Sequence, residues 1–94
     1  LIDPYFSFYI PNSFTPNGNG RNDVFRGVGE GYSDHYLTIF NRWGEEIFHG
    51  DGDLGWDGTY KGQPVELAVY EYLVILRSWT GEEKRFAGHV NLIR

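Results

Sequence analysis

Val65-Glu66-Leu67-Ala68-Val69-Tyr70-Glu71-Tyr72-Leu73-Val74-Ile75-Leu76-Arg77-Ser78-Trp79-Thr80 is the longest stretch of the chain free of both Gly and Pro. Glu, Leu and Ala at its start would suit a helix. From Val69 onward, however, β-branched and aromatic residues take over: Val69, Tyr70, Tyr72, Val74 and Ile75. Such a run fits a pleated, buried surface better than a helical one. The stretch is therefore predicted as one long strand, buried on both faces.

The residues on either side support that choice. Ser78-Trp79-Thr80-Gly81-Glu82-Glu83 is a turn, and beyond it residues 84–94 alternate. Phe86, Gly88, Val90 and Leu92 point one way and Arg85, Ala87, His89 and Asn91 the other, the signature of a half-buried strand. Upstream, Tyr36-Leu37-Thr38-Ile39-Phe40-Asn41 and Glu45-Glu46-Ile47-Phe48-His49 are predicted as a hairpin closed by Arg42-Trp43-Gly44, with Gly44 at positive φ. Residues 5–10 and 23–28 are predicted strands, with a short one at 59–61. Thirteen Gly and four Pro punctuate the rest. Short strands without helices predict an all-β, two-sheet antiparallel β-sandwich of about seven strands, because an open sheet would strand its aromatics in water. Trp56, Phe40, Ile39, Tyr70, Val74 and Leu92 are its expected core, and Trp43, Gly44, Trp56, Asp57, Gly58 and Tyr70 its structural residues.

With 94 residues the chain is expected to form a single domain over 1–94. Aromatics make up 18% of it, enough large side chains to build a core without staples, and there is no Cys to form a disulfide or thiolate site. The chain begins Leu1-Ile2-Asp3 and contains no Met, so it reads as a fragment or processed product of a larger protein. No apolar run approaches the length of a membrane-spanning helix. A net charge of −5, with the signs interspersed, argues against a nucleic-acid-binding patch.

Two loops concentrate oxygen ligands. Asn17, Asn19 and Asp23 alternate with Gly in a spacing that resembles a calcium loop, but one carboxylate falls short of the charge calcium needs. The reading adopted is a rigid loop held by Asn side chains. Asp51, Asp53 and Asp57 lie within seven residues and could bind a cation or act as paired acids. A solvated turn with Trp56 plugging the core suits so small a domain better. His35, His49 and His89 are scattered, and no nucleophile elbow surrounds any Ser. No metal, cofactor or catalytic residue is expected.

Ile10-Pro11-Asn12-Ser13-Phe14-Thr15-Pro16-Asn17-Gly18-Asn19-Gly20, followed by Asn22-Asp23-Val24-Phe25, resembles the opening of the gliding-motility-associated C-terminal domain. Leu37-Thr38-Ile39-Phe40-Asn41-Arg42-Trp43-Gly44, Gly55-Trp56-Asp57-Gly58-Thr59-Tyr60-Lys61-Gly62, Val69-Tyr70-Glu71-Tyr72 and Gly88-His89-Val90-Asn91-Leu92-Ile93-Arg94 continue the resemblance in order. It covers residues 10–94. Position 19 is Asn where that family usually carries Asp, and Glu66-Leu67-Ala68 stands where it tends to carry Gly. The resemblance implies a type B sorting domain of the type IX secretion system in Bacteroidetes, with an immunoglobulin-like fold. It also implies a place at the C-terminus of a large surface protein or adhesin, export through periplasm and outer membrane to the cell surface or medium, and a small outer-membrane partner of the PorP/SprF type. A carbohydrate- or protein-binding module of a secreted adhesin is the alternative. On the leading reading recognition uses a folded surface, and Asn17, Asn19, Arg21, Asn22, Lys84, Arg85 and Arg94 are the candidate partner-binding residues. The final strand, with its charged ends, is expected to lie close to a sheet edge.

Overall fold

The computed structural model describes residues 7–16 and 24–93. Among these residues nine strands run in chain order: β1 Ser7–Tyr9, β2 Ser13–Phe14, β3 Val28–Glu30, β4 Asp34–Phe40, β5 Glu46–Asp51, β6 Thr59–Tyr60, β7 Gln63–Pro64, β8 Val69–Arg77 and β9 Glu83–Leu92. None of the described residues is helical. One sheet carries five strands in the order β2-β9-β8-β4-β5, and two ribbons, β1-β3 and β6-β7, complete the pairing.

The inner face of the large sheet supplies Leu37, Ile39, Ile47, Tyr70, Val74, Leu76, Val90 and Leu92 to one core. Phe14, Phe25 and Trp56 join it, and Phe8, Tyr32, Tyr60 and Val65 pack against it. The all-β, sandwich-like expectation therefore holds. The second layer is made of two ribbons and a plug rather than a continuous sheet. Trp56, fully buried, is the plug. Its ring lies 5.4 Å from Phe14 and 5.3 Å from Tyr70, and its indole N–H donates to the Thr59 carbonyl at 2.9 Å. Burying so large a ring while giving its one polar atom a partner is what makes Trp tolerable there.

Several expectations are corrected. The stretch at 65–80 becomes a strand only from Val69, and only one of its faces is fully buried. Tyr70, Val74 and Leu76 point into the core, while Val69, Glu71 and Arg77 face water. In an antiparallel sheet covered on one side, the other face stays wet. Residues 65–68 form a corner instead, in which the Tyr70 hydroxyl donates to the Glu66 carbonyl at 2.7 Å. A Tyr at the start of a strand bonding back to the chain just upstream is the tyrosine corner of immunoglobulin-like sandwiches. The strand expected over 23–28 does not form at residues 24–27, and Asp23 lies outside the described residues. Phe25 makes an isolated bridge with Trp56, and β3 begins at Val28. Gly29 is the reason pairing moves there: a Cβ on it would lie 1.8 Å from the Ser7 carbonyl oxygen of β1. The pairing is not all antiparallel either, since β2 lies parallel to β9. Phe40, expected in the core, is only half-buried at the end of β4.

Both predicted hairpins form. Asn41 closes the first, its side-chain oxygen accepting the backbone N–H groups of Trp43 and Glu45, each at 2.9 Å. Gly44 has φ 82°, the left-handed conformation expected of it. β8 and β9 pair in unbroken register from Val69↔Asn91 to Arg77↔Glu83.

Candidate functional site

Three regions carry the polar and aromatic side chains singled out by sequence. The first is the Asp51–Asp57 turn. Its three carboxylates do not converge; each is engaged locally. Asp51 accepts the N–H of Asp53 at 2.8 Å, and Asp57 accepts both the N–H and the hydroxyl of Thr59, at 3.1 and 2.7 Å. Asp53 reaches across to β4. One of its oxygens accepts the Nδ1–H of His35 at 3.0 Å and the hydroxyl of Tyr32 at 2.9 Å. Among the described residues no group of three or more His, Cys, Asp or Glu is placed to hold a metal. Asn17, Asn19 and Asp23 lie outside the described residues.

Sequence reasoning missed the cluster around His35. Its side chain is wholly buried, edge-on to Phe8 and Tyr32, and Gly52 packs so close that a Cβ would lie 2.2 Å from the ring. The hydrogen bond from His35 holds the Asp53 carboxyl below its ordinary range; partial burial opposes this and the Tyr32 bond adds to it. Burial, with the hydrogen bond to Asp53 and its charge, pushes the Tyr32 phenol up to about 12. Arg26 adds a bond to the Asp53 carbonyl at 2.9 Å. The cluster ties the turn, the β3–β4 segment and β4 together. The only legible signal was an isolated His in a strand of apolar residues.

The second region is a groove of about 310 Å³ below the β4–β5 turn, lined by Trp43, Ile47, Tyr60, Val65, Val69 and Tyr70, among others. Trp43, expected to be structural, is 71% exposed, with the Arg42 guanidinium 4.1 Å above its ring. It stands at the tip of a turn and contributes nothing to the core.

The third region is β9. Lys84 and Arg85, both candidate partner-binding residues, are exposed on it. Arg85 pairs with Glu83 at 2.8 Å, and Arg77 approaches the same carboxylate at 3.9 Å. Exposed pairs of this kind contribute little to stability, so these charges are free to serve recognition. Arg21, Asn22 and Arg94, with Asn17 and Asn19 named above, lie outside the described residues. β9 pairs with β8 from Glu83 to Asn91 and with β2 only at Asn91 and Leu92. Among the described residues no strand pairs with the outer side of residues 83–89.

No described helix is long and apolar enough to cross a membrane. No curated protein matches the chain. A family model described as the CHU_C type IX secretion signal domain matches residues 8–92, from within β1 to the last residue of β9. Such a signal sends its protein across the outer membrane to the cell surface or the medium, and its family is not a known enzyme family. With that match spanning nearly the whole chain, and with an all-β sandwich and a tyrosine corner beneath it, the chain belongs to the CHU_C family of type IX secretion signal domains.

Proposed function

We propose that residues 1–94 form a single domain at the C-terminal end of a larger surface protein, and that this domain acts without catalysis, as a folded address. Its reader is an outer-membrane partner of the PorP/SprF type. The observation that carries this reading is the extent of the family match: residues 8–92 run from within β1 to the end of β9, so the feature shared with the family has the extent of a fold and not of a terminal tail. The action without catalysis rests on the family, which is one of secretion signals and not a known enzyme family. Lys84 and Arg85, together with Asn17, Asn19, Arg21, Asn22 and Arg94, are the proposed contact residues, with charge steering the encounter.

A reporter carrying this chain at its C-terminus, in a bacterium with a type IX system, tests the reading. Export is expected with the chain and not without it. A Trp56→Ala variant, once urea denaturation shows it unfolded, should leave the reporter inside the cell. Export of the unfolded variant at the normal level would show that a linear segment suffices.

A further inference from the structure

We propose that residues 83–89 of β9 are the place where the partner adds an extended strand to the signal, pairing through main-chain hydrogen bonds. This rests on the reading above, that an outer-membrane protein recognises the folded domain.

β9 is the longest strand, and its two sides are treated unequally. On the β8 side, nine residue pairs run without a shift. On the other side, β2 covers only the end: Asn91 N–H donates to the Asn12 carbonyl at 2.9 Å and Ile93 N–H to the Phe14 carbonyl at 3.0 Å. Leu92 N–H instead points to the Ala68 carbonyl at 3.0 Å, on the β8 side. Backbone groups alternate sides along a strand, and the register has no bulge, so Glu83, Arg85, Ala87 and His89 aim their N–H and C=O groups away from β8. Among the described residues no strand meets them. Ahead of Asn12 the chain passes to the other layer, where β1 pairs with β3, so among the described residues nothing continues β2 alongside residues 83–89. What is left is a slot about 20 Å long at strand spacing, in line with β2.

Only another extended backbone complements such a row of alternating donors and acceptors. The flanking side chains define its chemistry further. On the inner side the half-buried Phe86 stacks on Phe8, ring centroids 5.4 Å apart, offering an apolar rim. On the outer side stand Arg85 and His89, with Lys84 at the open end. The occupant is therefore a partner strand that alternates apolar residues, set against Phe86 and Phe8, with acidic or polar ones facing Arg85. The opposite edge of the sheet, β5, is shorter, and a bulge shifts its register with β4 between Ile39 and Phe40. Bulges of that kind spoil an edge for pairing. No bulge shifts the register of residues 83–89 with β8.

Ala87→Pro removes one edge-facing N–H that binds nothing within the described domain. With the reporter fusion, we expect export to fall about tenfold, the cost of roughly one main-chain bond and the displaced strand beside it. The urea midpoint of the isolated chain should stay at the parent value. Normal export of the Ala87→Pro variant overturns the strand-addition proposal while leaving the signal reading intact. Export of the reporter without the domain overturns both. Should the proline lower the urea midpoint, a benzophenone side chain in place of Ala87 decides: cross-linking to an outer-membrane protein from position 87, and not from position 80, supports the proposal, and its absence at 87 overturns it. A concentration-dependent dimer that the Ala87→Pro variant abolishes, with export unaffected, would assign the edge to a second copy of this chain and overturn the partner strand.

Discussion

Single side chains in this domain act in three separable ways, and each can be measured. Trp56 acts through volume. Fully buried and in contact with Phe14 and Tyr70, it leaves a cavity when truncated. Trp56→Ala should cost about 3–5 kcal/mol, a large part of the roughly 5–15 kcal/mol that holds such a domain folded. Urea denaturation reads the loss directly, and an unchanged midpoint would remove Trp56 from the core. Asp53 acts through charge. Its folded pKa is depressed, chiefly by the hydrogen bond from His35, so the stability it contributes is present above its unfolded pKa, near 3.8, and is lost as pH falls through the folded value. The denaturation midpoint should therefore drop as pH is lowered below about 4, and Asp53→Asn should show a shallower drop over the same range. A variant as acid-sensitive as the parent would assign the acid response to other carboxylates. Gly44 acts through backbone conformation alone. At φ 82° it has nothing within 4 Å of the point a Cβ would occupy, so Gly44→Ala tests left-handed strain with no clash added. The expected cost is about 1–2 kcal/mol.

Hairpin β4–β5 shows how an element is set by its turn. The Asn41 side chain takes two backbone N–H groups and donates to the Glu45 carboxylate at 2.9 Å, closing a loop that holds Trp43 outward. Asn41→Ala should cost about 1 kcal/mol, since each such exposed bond contributes a fraction of that to a net balance against water. Thermal melting of the variant checks this; no change in midpoint would mean that the β-ladder alone holds the turn. β6–β7 is set the same way. Lys61 at φ 53° and Gly62 at φ 81° place two left-handed residues in succession, the tight turn whose twist matches a two-stranded ribbon. Elements defined by local chemistry like this were readable from residue types. β2 and β3 were not, because neither has a strong β-forming run. Ser13 and Phe14 become a strand only because β9 lies alongside, and Val28-Gly29-Glu30 only because Gly29 admits the Ser7 carbonyl.

For the molecule as a whole, one core and one continuous five-stranded sheet carry stability, and the surface carries recognition. Residues 17–23 offer a single carboxylate, Asp23, and the carboxylates at 51, 53 and 57 are held in their own turns. Calcium at millimolar concentration and a chelator should accordingly leave the melting midpoint where it is, whereas a ligand bound by the folded state alone would raise it. A marked rise with calcium would place an ion site in the chain. The exposed Trp43, and the side of residues 83–89 that no described strand pairs, lie away from the centre of this core, so a signal receptor can engage either without disturbing the fold.

Pattern in the sequence was enough to settle what depends on near neighbours along the chain: the strand character of residues 69–77, the alternation of β9, the positive φ of Gly44 and the plug at Trp56. The family motifs spaced from residue 10 onward also pointed to a secretion signal. Contacts between residues far apart settled the rest. His35 meets Asp53 across 18 residues and Ser7 meets Glu30 across 23, and neither pairing leaves a periodic trace. Trp43 has the composition of a core residue and the position of a surface one, because a turn residue's burial depends on which layer happens to cover it. The uneven pairing of β9 is likewise a property of the assembled sheet: its residues alternate as any half-buried strand would, and because the chain leaves for the other layer ahead of Asn12, the described residues pair with its outer side only at Asn91 and Leu92.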